Sequence, residues 1–353
     1  MTAFGVYLHV PFCTRRCDYC AFATWTDRDH LIGAYLDACR RQAERVAADL
    51  ADVTSVFVGG GTPNLVDADA LMDVFEPLPI APGAEFTVEC NPDQVTDEQM
   101  ATYAARGVTR ISLGVQSMVD HVLATLGREH DPANVVRAVD SVRRAGIERL
   151  NLDLIYGALG ESVDDWRASV EGAVALGPDH VSAYALTVEP GTPLADDPAR
   201  HPDDDVQADK YVVADEILEA AGLSNYEISN WAAPGEECRH NLLYWDQGEY
   251  LGLGVAAHSH MGGRRFWSVR TPERFIKAID AETSVEAGSE TLDSDEREME
   301  GLQLAIRLRS GVPAAAVPDD VRHLVDVVDG RASLTRDGRL LANEVALRLV
   351  PPE

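Results

Sequence analysis

Three cysteines, Cys13, Cys17 and Cys20, form a C-x3-C-x2-C array within the run Tyr-Leu-His-Val-Pro-Phe-Cys-Thr-Arg-Arg-Cys-Asp-Tyr-Cys-Ala-Phe. Thiolates are soft ligands suited to zinc or to iron–sulfur groups. Three of them are one short of the four that close a structural zinc site or the usual iron–sulfur cube. A cube held through three irons leaves its fourth iron open to a substrate. The plainer readings are a zinc knuckle, for which only His9 stands near as a fourth ligand, a disulfide with a spare thiol, or three unconnected buried thiols.

The elements around the array must position it. Residues 6–10 read as an apolar strand running straight into the cysteines, and a helical apolar spacing follows over 29–50. The strand-then-helix beat then continues: strands over 55–58, 85–90, 110–114, 149–156 and 180–185, and helices over 67–75, 96–106, 132–145 and 162–176. Six strands alternating with helices imply a parallel α/β sheet, either doubly wound or rolled into a barrel. In a parallel barrel the chemistry sits where the strands end. Gly59-Gly60-Gly61-Thr62-Pro63, whose bare backbone lets a ligand approach closely, lies after the second strand, and Glu89 lies after the third. Gly114-Val115-Gln116-Ser117 and Gly127-Arg128-Glu129-His130 follow the fourth, and the fifth carries Asp153 in an otherwise apolar run. On their own, the glycines are a tight turn, Glu89 is a solvated carboxylate, and Arg128 pairs with Glu129 or Asp131. Asp153 needs a partner if it is buried.

The cysteine spacing, with Tyr7-x-His9-x-Pro11-Phe12 before it, resembles the signature of the radical S-adenosylmethionine (SAM) proteins. Within them it is similar to the branch that holds oxygen-independent coproporphyrinogen III oxidases and heme chaperones. The resemblance implies a [4Fe–4S] cluster on Cys13, Cys17 and Cys20, with SAM chelated at the fourth iron. It implies a partial (βα)6 TIM-like barrel over 1–230, then a smaller α+β, winged-helix-like domain over 231–353. By the same resemblance Tyr7, Tyr19, Gly60, Gly61, Thr62, Glu89, Gln116, Arg128 and Asp153 line the SAM cleft. The run His240-Asn241-Leu242-Leu243-Tyr244-Trp245 matches a segment proposed in that branch to bind heme, which makes His240 a heme-ligand candidate. Its plainer reading is a turn cap beside two packed aromatics. The paired His258-Ser259-His260 could also reach heme or simply form a turn, and Tyr156-Gly157-Ala158-Leu159-Gly160 departs from the branch's Leu-Pro-Gly.

Two functions compete on this resemblance. One is oxidative decarboxylation of coproporphyrinogen III; the other is a heme chaperone that keeps the radical SAM apparatus and hands heme to respiratory proteins. The oxidases carry a fourth cysteine where Phe22 stands and a long arm ahead of the Tyr-x-His motif, whereas the run at His240 matches the chaperones. The chaperone reading is therefore expected, with an electron donor as a further partner and a homodimer left open. A different radical SAM reaction on an unrelated small molecule stays as a third reading.

Composition sets the limits. The 353 residues are 46% hydrophobic and 25% charged, with no apolar run long enough to cross a bilayer and no leader pattern before the cysteines. A cytoplasmic location, where thiols stay reduced, is expected. The net charge of −29 argues against nucleic acid and anionic membrane as partners. Cys39, Cys90 and Cys238 are scattered and read as small buried hydrophobes. A helix is expected over 203–221, a strand over 226–229, a helix over 294–309, and a strand-turn-strand over 332–341 around Asp337-Gly338.

Overall fold

A computed structural model describes residues 3–352. The chain opens with β1 (Phe4–Val10), the cysteine loop, α1 (Ile32–Val46), β2 (Val53–Gly60), α2 (Ala68–Asp73), β3 (Ile80–Cys90) and α3 (Asp97–Ala105). It continues through β4 (Arg110–Gln116), α4 (Asp120–Thr125), α5 (Pro132–Arg144), β5 (Arg149–Tyr156), α6 (Val163–Val174), β6 (His180–Ala185) and α7 (Asp204–Ala220). Helix starts follow from local chemistry. The side chains of Asp67, Thr96, Asp131 and Asp203 each accept a first-turn backbone N–H. Ser162 and Asp165 form a reciprocal capping box, and Pro132 sits at the first turn of α5.

Strands β1 to β6 pair in parallel, each with the next. They are buried on both faces, which is why β1 reads as a nearly continuous apolar run. Alternate residues point inward, and those of all six strands line an internal cavity of about 130 Å³, from Tyr7 on β1 to Tyr184 on β6. The strands thus form a partial TIM-like barrel, with the helices packed outside and one apolar core running from Phe4 to Ile279.

The barrel does not close on itself. At one end β6 pairs with the hairpin β7 (Ser224–Glu227) and β8 (Asn230–Ala232), where a single strand is expected from the sequence. Helix α8 (Arg239–Trp245) then lies across the amino ends of the barrel strands, where the His240 N–H donates to Glu85 Oε1. At the other end β9 (Glu249–Leu253) pairs in parallel with β1, and β10 (His258–Met261), β11 (Arg264–Ser268) and, after α9 (Pro272–Asp280), β12 (Glu286–Thr291) extend the same sheet. The result is one twelve-stranded sheet with β1 near its middle.

A small α+β unit follows with its own apolar cluster, Leu302 to Leu349. It comprises α10 (Ser294–Ala305), a three-stranded sheet of β13 (Val312–Pro313), β14 (Val325–Val328) and β15 (Arg331–Leu334), then α11 (Arg336–Leu340) and α12 (Ala342–Ala346). The expected strand-turn-strand at 332–341 is displaced. The hairpin turn is Asp329-Gly330, both at positive φ, whereas Asp337-Gly338 lies inside α11. A Cβ at Gly338 would come within 2.0 Å of the Leu324 carbonyl oxygen, so this glycine serves packing. The unit is pinned to α7 by the fully buried Asp215, which accepts from Arg336 Nε at 2.6 Å, from Arg339 Nη2 at 2.9 Å and from the Trp231 indole.

Two further buried ions matter for stability. Lys210 Nζ lies 2.7 Å from Glu161 Oε2, with both side chains almost fully enclosed. The same carboxylate accepts from Gly157 N, fixing the loop after β5 in the stretch that departs from Leu-Pro-Gly.

Candidate functional site

The cysteine loop leaves β1 at Pro11 and is tied down along its length. Cys13 N donates to Trp25 O, Trp25 N to Pro11 O, and Cys20 N to Cys17 O. The His9 ring donates through Nε2 to the Ala23 carbonyl and accepts the Tyr7 hydroxyl at Nδ1. The stretch 194–200 braces this loop from outside. Arg200 pairs with Asp18 at 3.0 Å and Leu194 N donates to Asp18 O.

The three thiols open onto a cavity of about 700 Å³ at the carboxyl ends of the barrel strands. Tyr19, Gly60, Gly61, Thr62, Glu89, Gln116, Arg128 and Asp153 line the same cavity, so the structure brings the strand-end residues and the thiols together. Tyr7 lies below, in the inner cavity that shares Glu89, Asp153 and Tyr184 with the upper one. The glycine run fits as backbone. A Cβ on Gly61 would stand 2.9 Å from Cys13 Sγ, and one on Gly60, at φ +111°, would strike the His9 ring at 2.6 Å.

Among the described residues no three His, Cys, Asp or Glu side chains converge closely enough for a single metal ion. Spread around one cavity, the thiols instead suit a group that offers each thiolate its own iron, and the cysteine-only donor set suits an iron–sulfur cube. Burial raises the Cys13 and Cys20 thiols, so deprotonation is left to the metal itself. Two donors are aimed at sulfur: Thr62 Oγ1 stands 3.6 Å from Cys13 Sγ, and Arg128 Nη1 3.8 Å from Cys17 Sγ.

Arg128 is not a surface ion pair. Its Nη2 donates at 3.0 Å to both Asn91 Oδ1 and the Gly114 carbonyl, while Glu129 pairs with Arg15. Asn91 is a site residue that pattern reading missed; Asn91-Pro92 after β3 is the turn signal that marks it. Gln116 holds φ +64° where β4 slips register against β5, a strained backbone of the kind that collects at ligand sites. Asp153 has the partners a sequestered carboxylate needs: Ser112 Oγ donates to it at 2.7 Å and Asn151 Nδ2 at 2.8 Å.

Glu89 sits opposite, accepting from Gly60 N at 3.2 Å. Burial, with Asp153 adding repulsion, pushes it from 4.5 up to about 8, and burial raises Asp153 as well. The folded protein therefore keeps protons that the unfolded chain releases, and stability falls as pH rises from about 4.5 to about 8. We expect the melting temperature of the ligand-free protein to decline across that window and to decline less in Glu89→Gln; an unchanged slope in the variant would contradict this charge placement.

His240 lies at the opposite, amino end of the barrel. It is 1% exposed; its Nδ1 pairs with Ser55 Oγ at 3.0 Å and its Nε2 with Tyr244 OH at 2.9 Å. Burial pulls it down to about 3. Iron at either ring nitrogen would displace one of these partners. Tyr244 is edge-on to Tyr250 at 4.6 Å, and Trp245 lies beneath Arg307 of the small C-terminal unit, so both aromatics are packed between elements. Cys39, Cys90 and Cys238 are buried, as expected, with Cys90 in the wall of the upper cavity.

Residues 7–172 match the Radical SAM superfamily. The chain is 44% identical to the heme chaperone HemW of Mycobacterium tuberculosis, covering 98% of this chain and 95% of that protein. It is 32% identical to the heme chaperone HemW of Escherichia coli, covering 94% and 91%. Among solved structures, coproporphyrinogen III oxidase (HemN) of Escherichia coli, a radical SAM enzyme, superposes with a TM-score of 0.86 at 21% identity, over 98% of this chain and 89% of that one.

Proposed function

This chain belongs to the heme chaperone HemW family of the radical SAM superfamily, and from that premise we propose that it carries heme and passes it to respiratory hemoproteins. Its resident cofactors are a [4Fe–4S] cluster and SAM. The observation that carries the reading is the end-to-end similarity to HemW proteins together with Phe22, 62% exposed at the cavity rim where the oxidases have a fourth cysteine.

Cys13, Cys17 and Cys20 hold the cluster, and the cluster supplies one-electron chemistry beside bound SAM. The chain's own residues do the positioning. The Gly60-Gly61-Thr62 backbone would hold the methionine end of SAM and Glu89 would receive the ribose hydroxyls, while Tyr19, Gln116, Arg128 and Asp153 would complete the cleft, with Tyr7 beneath. The Arg128 guanidinium offsets charge at Cys17, and the Thr62 hydroxyl does the same at Cys13. An electron donor protein serves the cluster. None of the six cysteines is in a disulfide, in keeping with work in the cytoplasm, and no helix among the described residues is long and apolar enough to cross a membrane.

The test is a heme titration of anaerobically reconstituted protein, read at the Soret band, with coproporphyrinogen III turnover assayed on the same preparation. One heme taken up per chain without turnover is the expected result. Turnover to protoporphyrinogen without heme uptake would replace the carrier with an oxidase.

A further inference from the structure

Thr87 and Arg110 stand in the wall of the inner barrel cavity, and the cofactor cleft above uses neither. Both are 1% exposed. Among the described residues that line this cavity, only these two have enclosed side-chain polar atoms with no hydrogen-bond partner: Thr87 Oγ1, and Arg110 Nε and Nη1. Leaving an enclosed donor unmet is costly, most of all on a charged group, so such atoms mark a place built to hold an acceptor.

The two are neighbours. Tyr7, Phe57, Thr87 and Arg110 pair in that order across β1 to β4, so one rung of the barrel wall runs from two aromatic rings to a hydroxyl and then a guanidinium. The Phe57 ring stacks on Tyr7 at 6.4 Å and on His240 at 5.5 Å, which makes that side of the cavity flat and apolar. Glu85 meets the Arg110 charge only in part. It reaches Nη2 at 3.3 Å, an atom shared with the Glu236 carbonyl at 2.9 Å, and its Oε1 is taken by the His240 N–H and the Cys238 thiol. Above, burial keeps Glu89 protonated at neutral pH and raises Asp153 as well, which lessens repulsion of an anion.

We propose that the inner cavity binds a short-chain carboxylate, its oxygens on Arg110 and Thr87 and its carbon stem against the rings of Tyr7 and Phe57. The cavity of about 130 Å³ equals about four waters at roughly 30 Å³ each, room for an acid of about three carbons and not for a macrocycle. The carboxylate is either a free acid or one arm of a larger molecule. A porphyrin propionate is such an arm, and that source rests on the carrier reading.

Propionate is the probe, used on cluster-reconstituted protein against matched chloride. It should raise the melting temperature of wild type saturably, and crystals grown with it should show a carboxylate against Arg110. Thr87→Val removes an unmet hydroxyl and leaves the Arg110–Glu85 pair in place, so it should fold at least as stably and bind propionate about tenfold more weakly. Arg110→Lys, if folded, should lose the response. Heme and its dimethyl ester, which lacks the carboxylates, separate the sources. Heme binding tighter than ester in wild type but not in Thr87→Val assigns the arm of the carried heme; equal binding of the two, with the propionate response intact, assigns a free acid. A protein that answers propionate but takes up neither porphyrin would overturn the carrier reading and keep the site. Water alone against Arg110, with no propionate response and no preference for heme over its ester, would overturn the site.

Discussion

Cys17→Ser, purified without oxygen and offered iron and sulfide, should end with iron and acid-labile sulfide near background. A direct thiolate is lost, and among the described residues no further Cys, His, Asp or Glu is gathered with the other two to replace it. The fold should survive, because the loop is held by bonds that do not involve Sγ: Cys13 N to Trp25 O, His9 to Ala23, and Arg200 to Asp18. Arg128→Ala provides the contrast. It removes the donor beside Cys17 Sγ, with the bonds to Asn91 and Gly114, but no ligand, a loss that for outer-shell partners costs roughly 10–100-fold in metal affinity, so a weakened cluster should still assemble. Full cluster content in Cys17→Ser would remove Cys17 from the ligand set.

Glu161→Gln should be the most destabilising single substitution outside the cysteine loop, at about 3–5 kcal/mol, because it leaves the Lys210 ammonium enclosed without its counter-charge. Burial raises the Glu161 carboxyl even against the pull of Lys210, the mark of a pair held at a desolvation cost. The double change Glu161→Gln with Lys210→Met should therefore recover much of the loss, since no charge then remains buried. Chemical denaturation of the two variants checks both statements. A single variant within about 1 kcal/mol of wild type would mean that the ammonium reaches water. The loss should also loosen the loop after β5, whose Gly157 N–H depends on the same carboxylate.

The barrel half was legible because each element carried its own local signal. Apolar strands ended in glycine or Asn-Pro, and helices began at Asp67, Thr96, Asp131, Ser162 and Asp203, every one a side-chain cap in the structure. The short α4 had no such mark, since Val119 at its start offers no side-chain cap. The sheet beyond β9 was silent for a different reason: Glu286–Thr291 reads Glu-Ala-Gly-Ser-Glu-Thr, an exposed edge strand with no apolar face to impose a period. Asp-Gly occurs at both 329–330 and 337–338, and only tertiary packing at Gly338 decides which one turns. The strand-end site residues could be named from the motif, but the strain at Gln116 and the exchange of partners at Arg128 depend on distances between strands, which no local pattern encodes.

The central place of β1 in the twelve-stranded sheet has a consequence in time. Its two neighbours are β2, some forty residues on, and β9, which begins at Glu249. At ribosomal rates of about 5–20 residues per second, β9 emerges roughly 10–50 s after β1. Throughout that interval the apolar edge of Phe4–Val10 has no partner on one side, just ahead of the three thiols. The nascent chain thus presents an unpaired apolar strand edge and its cluster ligands together, early, and long before the strand that pairs with that edge has been made.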